Sequence, residues 1–107
     1  MSKYGSEKKQ ASDGTILDSK RECRRYEELL LLQRLGEISE LKRQEKFVLI
    51  PAQPRFKERA CTYTVDFVYR DKNGEKIFED TKGMRTQQGI IRRKLMAYLH
   101  GIKVLES

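Results

Sequence analysis

Residues 61–82 read CTYTVDFVYRDKNGEKIFEDTK, and the fold of the whole chain turns on how this stretch doubles back on itself. Cys61 to Tyr69 is β-branched and aromatic throughout, Asp71-Lys72-Asn73-Gly74-Glu75 carries turn residues, and Lys76 to Lys82 resumes an extended pattern. Together they predict a β-hairpin. The turn can close as a two-residue Asn-Gly loop or as a three-residue loop, Lys72-Asn73-Gly74, with Gly74 at the left-handed position of a bulge. The three-residue loop sets Asp66 directly opposite Asp80 and Val68 opposite Phe78, whereas the two-residue loop sets Asp66 opposite Thr81. Because side chains alternate along a strand, the first choice also puts Asp66, Asp80 and Lys82 on one face and Glu79 on the other.

The rest of the chain supplies the surroundings of that hairpin. Upstream, Ser19 is a natural N-cap with Glu22 three residues later, and Gly36 is placed to end the helix between them. Cys23, Tyr26 and Leu29 to Leu32 form its apolar stripe, so broad that more than one side of the helix is expected to be covered. Lys46 to Ile50 is a short apolar run ending at Pro51, read as a buried strand. Downstream, Thr86 caps a second helix with Ile90, Ile91, Leu95, Tyr98 and Leu99 at helical spacing, Gly101 ends it, and Ile102 to Leu105 reads as a closing strand. Met84 and Tyr98 are assigned to packing, and His100 to the C-terminal dipole of the second helix. The predicted order is αβββαβ, an α/β (α+β) mixed sheet flanked by helices.

Size and charge narrow the functions available. The chain has 107 residues, enough for one domain; it would hide roughly 60 to 68% of its unfolded surface. Residues 1–14 are polar and aperiodic and read as a flexible arm; residues 15–107 read as one domain. Lys+Arg 23 against Asp+Glu 16 gives +7, which favours a polyanionic partner. Hydrophobic residues at 37% are clustered rather than dilute, which argues against wholesale disorder. Two isolated cysteines, Cys23 and Cys61, suit an intracellular, reduced protein, and no apolar run approaches the ~20 residues of a membrane span. One histidine and two cysteines cannot close a structural zinc site without several carboxylates.

The opposed acids are the chemistry-bearing feature. Two ionised carboxylates about 5 Å apart repel by roughly 3 kcal/mol at an effective dielectric of about 20. A hard divalent cation, which takes one or two carboxylates together with water and phosphate oxygens, relieves that repulsion. Lys82, one strand step beyond Asp80, would then offset charge growing on a phosphoryl group. The alternative is a solvent-facing pair with Lys82 as an ordinary salt-bridge partner; likewise, Glu22 is accounted for by its capping box alone. From Thr81 to Lys103 the chain carries Lys82, Arg85, Arg92, Arg93, Lys94 and Lys103 and no acid. With Lys20, Arg21, Arg24 and Arg25 near the first helix, these cations suit backbone phosphates rather than base reading.

Val65-Asp66, a hairpin, Asp80-Thr81-Lys82 and a preceding helix bearing Glu22 resemble the PD-(D/E)XK nuclease superfamily. More narrowly, DGTILDSKRECRRYEELLLLQRLGEI, FVLIP, YTVDFVY and FEDTKGM are similar to small phage and prophage proteins assigned to it. The resemblance covers about Asp13 to Leu105. It implies a restriction-endonuclease-like core and Mg²⁺- or Mn²⁺-dependent cutting of DNA, with Asp66, Asp80 and Glu22 as metal ligands and Lys82 as the motif lysine. Val65 stands where the motif has proline. Gln87 and Gln88 do not form the glutamine-to-tyrosine pattern of the exonuclease branch, since Arg92 lies four beyond Gln88. A chain this small has little room for a base-reading module, so branched DNA such as a four-way junction is the expected substrate. Two-fold cutting would require a homodimer, for which the leucine stripe offers a surface. The competing expectation is a catalytically inactive nuclease-fold protein that binds DNA or another protein.

Overall fold

A computed structural model describes residues 7–81 and 86–107. Local signals set the helix boundaries. Helix α1 spans Lys20–Arg34, and the Ser19 hydroxyl accepts the Glu22 N–H at 3.1 Å. Its C-cap is Leu35, after which Gly36 takes the left-handed conformation the exit requires, with φ +81°. Helix α2 spans Gln87–His100, with Thr86 accepting the Gly89 N–H at 3.0 Å and Gly101 closing it at φ +65°.

The helices flank a four-stranded mixed sheet. Strand β3 (Ser39–Ile50) pairs antiparallel with β4 (Cys61–Arg70), β4 antiparallel with β5 (Lys76–Asp80), and β5 parallel with β6 (Val104–Glu106). The spatial order is β3-β4-β5-β6, and the parallel pair is reached through α2. This is the expected αβββαβ order, preceded by a short hairpin of β1 (Lys9–Gln10) and β2 (Ile16–Leu17). No helix among the described residues is long and apolar enough to cross a membrane.

Two expectations are corrected by the structure. Residues 7–14 are not wholly loose: β1 pairs with β2, Ala11 and Leu17 are buried, and Tyr26 Oη donates to Asp13 at 2.6 Å. Burial of Ala11, with Leu17 on the paired strand, in the cluster that includes α1 orders a segment whose composition is otherwise polar. The run Lys46 to Ile50 is the end of a 12-residue strand rather than a buried one. Because β3 is an edge strand, only Leu49 is buried, while Val48 and Ile50 are 49% and 43% exposed. On α1 the broad stripe is covered in part: Leu29 is buried and Leu30 and Leu32 pack partly buried against the same cluster, whereas Leu31 and Leu35 are exposed.

Two hydrophobic clusters result. One joins α1 to the turn end of the hairpin through Cys23, Tyr26, Leu29, Phe67 and Tyr69, with Tyr26 and Phe67 rings stacked at 6.0 Å. The other joins α2 and β6 to β4 through Met96, Val104, Tyr63, Val65 and Val68, the last on the face away from Phe67 and Tyr69. Strict alternation would keep Val65 with Phe67. They belong to different clusters, so the ribbon of β3 and β4 rolls over at Asp66. Across from it Gln44 has φ +53°, a left-handed conformation that re-aims β3 at the same point, and the β3–β4 register is the same on both sides.

Candidate functional site

The hairpin closes through the three-residue loop. Gly74 adopts φ +81°, Asp71 N–H donates to Glu75 O at 2.9 Å, and the ladder pairs Val68 with Phe78 and Phe67 with Glu79. One step further stand Asp66 and Asp80. There the ladder gives way to side chains, because the strand ends still carry backbone donors that must be satisfied. Asp80 Oδ1 accepts the Asp66 N–H at 2.8 Å; Asp66 Oδ2 accepts the Thr81 N–H at 3.0 Å and the Thr81 hydroxyl at 3.2 Å. Each carboxylate thus holds the backbone of the facing strand, and the two acids come together as the three-residue loop requires.

The pair is asymmetric. Asp80 is buried at 4% exposure and also accepts a hydrogen bond from Tyr63 Oη. Burial pushes its carboxyl above the usual range, the charges of Asp66 and Glu79 add to that, and the bonds from Tyr63 and the Asp66 N–H work against it. Burial likewise drives the Tyr63 phenol well above its ordinary value, reinforced by its bond to Asp80, consistent with Tyr63 donating that hydrogen bond. Asp66 is half-buried, and its Oδ1 has a long 3.5 Å contact from Gln44 Nε2.

Glu79 lies on the other face, as alternation predicts. It receives Arg25 Nε at 2.7 Å, Arg25 Nη2 at 2.9 Å and Tyr69 Oη at 2.7 Å. Burial alone would raise the Glu79 carboxyl, but the Arg25 and Tyr69 bonds outweigh it and hold it below the usual range. Tyr69 in turn is pushed up to about 12, by burial first and Glu79 second.

Beside Tyr63 opens a polar cleft of about 550 Å³ between the start of β4 and the first turn of α2. Thr62, Thr64, Gln88 and Arg92 are among its walls.

A family model described as "Protein of unknown function (DUF1064)" matches residues 1–104. The chain belongs to the DUF1064 family. No curated protein and no solved structure matches it.

Against the expected site residues, the DUF1064 structure brings Asp66 and Asp80 together but does not bring Glu22 into a ligand set with them. Among the described residues no group of three or more His, Cys, Asp or Glu side chains is arranged to hold a metal ion. Glu22 is buried at the start of α1 with the Arg43 guanidinium 3.7 Å away, and Arg43 also lies over the Tyr26 ring. Lys82, Met84 and Arg85 lie outside the described residues. Of the expected phosphate contacts, Arg25 is committed to Glu79, Arg21 donates to Ser107 O at 2.9 Å, and Lys20 pairs with Glu7 at 3.6 Å. Arg24, Arg92, Arg93 and Lys94 are exposed, and the charge of Arg93 acts on Tyr63. Tyr98, expected to pack, is 85% exposed. His100 sits in the last turn of α2, but its Nε2 lies 3.0 Å from Val48 O, tying it to β3.

Sequence reading missed Tyr63 and the Tyr69–Glu79–Arg25 triad. The available signal was that a tyrosine in a buried strand needs a partner for its hydroxyl. Two such tyrosines in β4 flank the stretch that faces two acids, Glu79 and Asp80.

Proposed function

We propose that this chain is a divalent-metal-dependent endodeoxyribonuclease, using Mg²⁺ or Mn²⁺ to hydrolyse phosphodiester bonds in structured or branched DNA. The observation that carries the reading is the Asp66–Asp80 pair, two acids from neighbouring strands held face to face at the open end of the hairpin. The donor set fits a hard cation. Each carboxylate oxygen offers about two lone pairs, and the protein's own hydrogen bonds leave capacity on both acids, most on Asp66 Oδ1. Two carboxylates completed by water and phosphate oxygens are a usual Mg²⁺ set, so a third protein acid is not required. Such a cation, when bound, activates water and offsets phosphoryl charge.

The chain's own residues do the rest. Asp66 and Asp80 present oxygens from two strands, and Tyr63 holds Asp80 in one orientation. Arg92, Arg93 and Lys94 draw the phosphate backbone toward the cleft. Lys82, by its place in the acid-x-lysine motif, offsets charge as the oxygen of water bonds to phosphorus, one phosphodiester P–O bond breaks, and the leaving oxygen takes up a proton in exchange for the one the water gives up to solvent. A homodimer through the exposed Leu31 and Leu35 face of α1 would supply two-fold cutting.

One observation favours a second reading, a nuclease-fold protein that binds without cutting: both acids already have structural work, with four hydrogen bonds between them. Labelled four-way junction, flap, duplex and single-stranded DNA, each with Mg²⁺, Mn²⁺ or EDTA, separate the two. Metal-dependent cutting that Asp80→Asn abolishes supports the nuclease. Salt-sensitive binding without cutting by wild type supports the binding protein.

A further inference from the structure

The β3–β4 connection, residues 51–60, reads PAQPRFKERA and contains features the carboxylate site does not use. It is built rigidly. Gln53 and Glu58 exchange both backbone hydrogen bonds, at 2.9 and 3.0 Å, and between them a single 3₁₀ turn, Pro54–Phe56, is closed by Phe56 N–H to Gln53 O and Lys57 N–H to Pro54 O. At its crest Phe56 is 65% exposed, with the Arg55 guanidinium 5.3 Å from the ring centroid. Lys57 occupies the left-handed region at φ +57°, where an L side chain is disfavoured and glycine is the ordinary solution. A strained cation in a well-bonded turn is the kind of outlier from which function is inferred.

Arg55, Lys57 and Arg59 are all exposed, with Glu58 the loop's one acid. Beneath the crest lies an open hollow that includes Ile50, Phe56, Arg59 and Cys61, and Cys61 also borders the cleft beside Tyr63. Cys61 thus borders both hollows, and Tyr63, in the wall of the cleft, donates its hydroxyl to Asp80. Along β4, Cys61 and Asp66 are five residues apart, or roughly 17 Å at strand rise.

We infer that this loop is a docking site for unpaired DNA, with Phe56 stacking a splayed-out base while Arg55, Lys57 and Arg59 neutralise the flanking phosphates. It rests on the DNA-acting reading above and narrows its substrate class to DNA with an unpaired segment near the cut. An exposed aromatic ring among cations is the chemistry that binds single strands, because every base has a stacking face. In duplex DNA those faces are occupied.

The test is fluorescence anisotropy of a labelled 20-nucleotide oligo-dT and of a duplex of equal length, in EDTA, so that binding is read whether or not the chain cuts. Phe56→Ala and Phe56→Leu are expected to weaken oligo-dT binding about five- to hundred-fold and to change duplex binding less than two-fold, while Phe56→Trp retains it. Lys57→Gly removes the charge and the backbone strain together, so it is expected to weaken oligo-dT binding with unfolding temperature unchanged or raised. Wild-type affinity for oligo-dT in Phe56→Leu and Lys57→Gly, equal losses on single strand and duplex, or equal displacement by polyglutamate would each overturn the assignment. Loss of cutting in every assay, with Phe56-dependent oligo-dT binding intact, would sink the nuclease and leave this site standing.

Discussion

Arg25→Ala separates a structural role for this arginine from the phosphate contact its position in a basic run suggests. Glu79 is 4% exposed and takes three hydrogen bonds, two of them from Arg25 at 2.7 and 2.9 Å. Truncating Arg25 leaves Glu79 with neutral partners, Tyr69 and Ser107, so the carboxylate is buried without its counter-charge. Breaking a buried ion pair from one side costs about 3–5 kcal/mol. The Arg25 side chain is itself 27% exposed, so water re-enters and the lower end, about 3 kcal/mol, applies. At roughly 4 °C per kcal/mol for a domain of this size, the unfolding midpoint falls by about 12 °C in a thermal melt followed by circular dichroism. The double variant Arg25→Met/Glu79→Gln is expected to recover most of the loss, since it removes the stranded charge. Were Arg25 instead a surface phosphate contact, stability would move by no more than about 0.5 kcal/mol and the salt slope of DNA binding would drop by about one. That pair of results would refute the triad.

Acid unfolding supplies the second prediction. Because the folded Glu79 carboxyl is held low, its pair contributes stability that is fully present above the ordinary glutamate value and is lost as pH falls through the folded value. Urea midpoints measured from pH 6 down to pH 3 should therefore decline in wild type more steeply than in Glu79→Gln. Asp80 has the opposite sign: its raised carboxyl makes the folded state less stable as pH rises through that value. Asp80→Asn should thus raise the melting temperature at pH 7.5 while removing the proposed metal-dependent cutting; a lower melting temperature would contradict the penalty that burial and the Asp66 and Glu79 charges place on the Asp80 carboxylate. Tyr63→Phe should lower Mn²⁺ affinity, followed by electron paramagnetic resonance, about three- to ten-fold, as expected for loss of a group that orients a ligand. Unchanged affinity would remove Tyr63 from the site. Leu31→Glu should convert the proposed homodimer to monomer in sedimentation without lowering the melting temperature by more than about 2 °C, Leu31 being half exposed.

What could be read in advance was what is local. Ser19, Thr86, Gly36 and Gly101 act on backbone groups within a few residues, and all four end helices as expected. The facing of Asp66 and Asp80 was legible as one of two registers, because a turn this short fixes the pairing of the whole hairpin, and the ladder is that of the three-residue loop. Partners far apart in the chain were not legible. Arg25 and Glu79 are separated by 54 residues, so Arg25 looked like one more cation in a basic run. Tyr63 looked like strand filler because its partner belongs to another strand. The roll of β3 and β4 at Gln44 has no marker in residue type, since glutamine is not where a left-handed conformation is expected.

That roll divides the mutational landscape of the chain. Substitutions among Cys23, Tyr26 and Leu29 and those among Val65, Met96 and Val104 fall in two clusters joined mainly through β4. Separated sites contribute to stability nearly additively, and coupling energy concentrates where neighbours share partners. Asp66 lies on the seam between the two clusters, and its separation from Asp80 depends on how both halves seat. Mild core changes on opposite sides of the seam should then add in unfolding free energy yet multiply beyond expectation in metal affinity, so epistasis in this protein should be a property of the site and not of the fold.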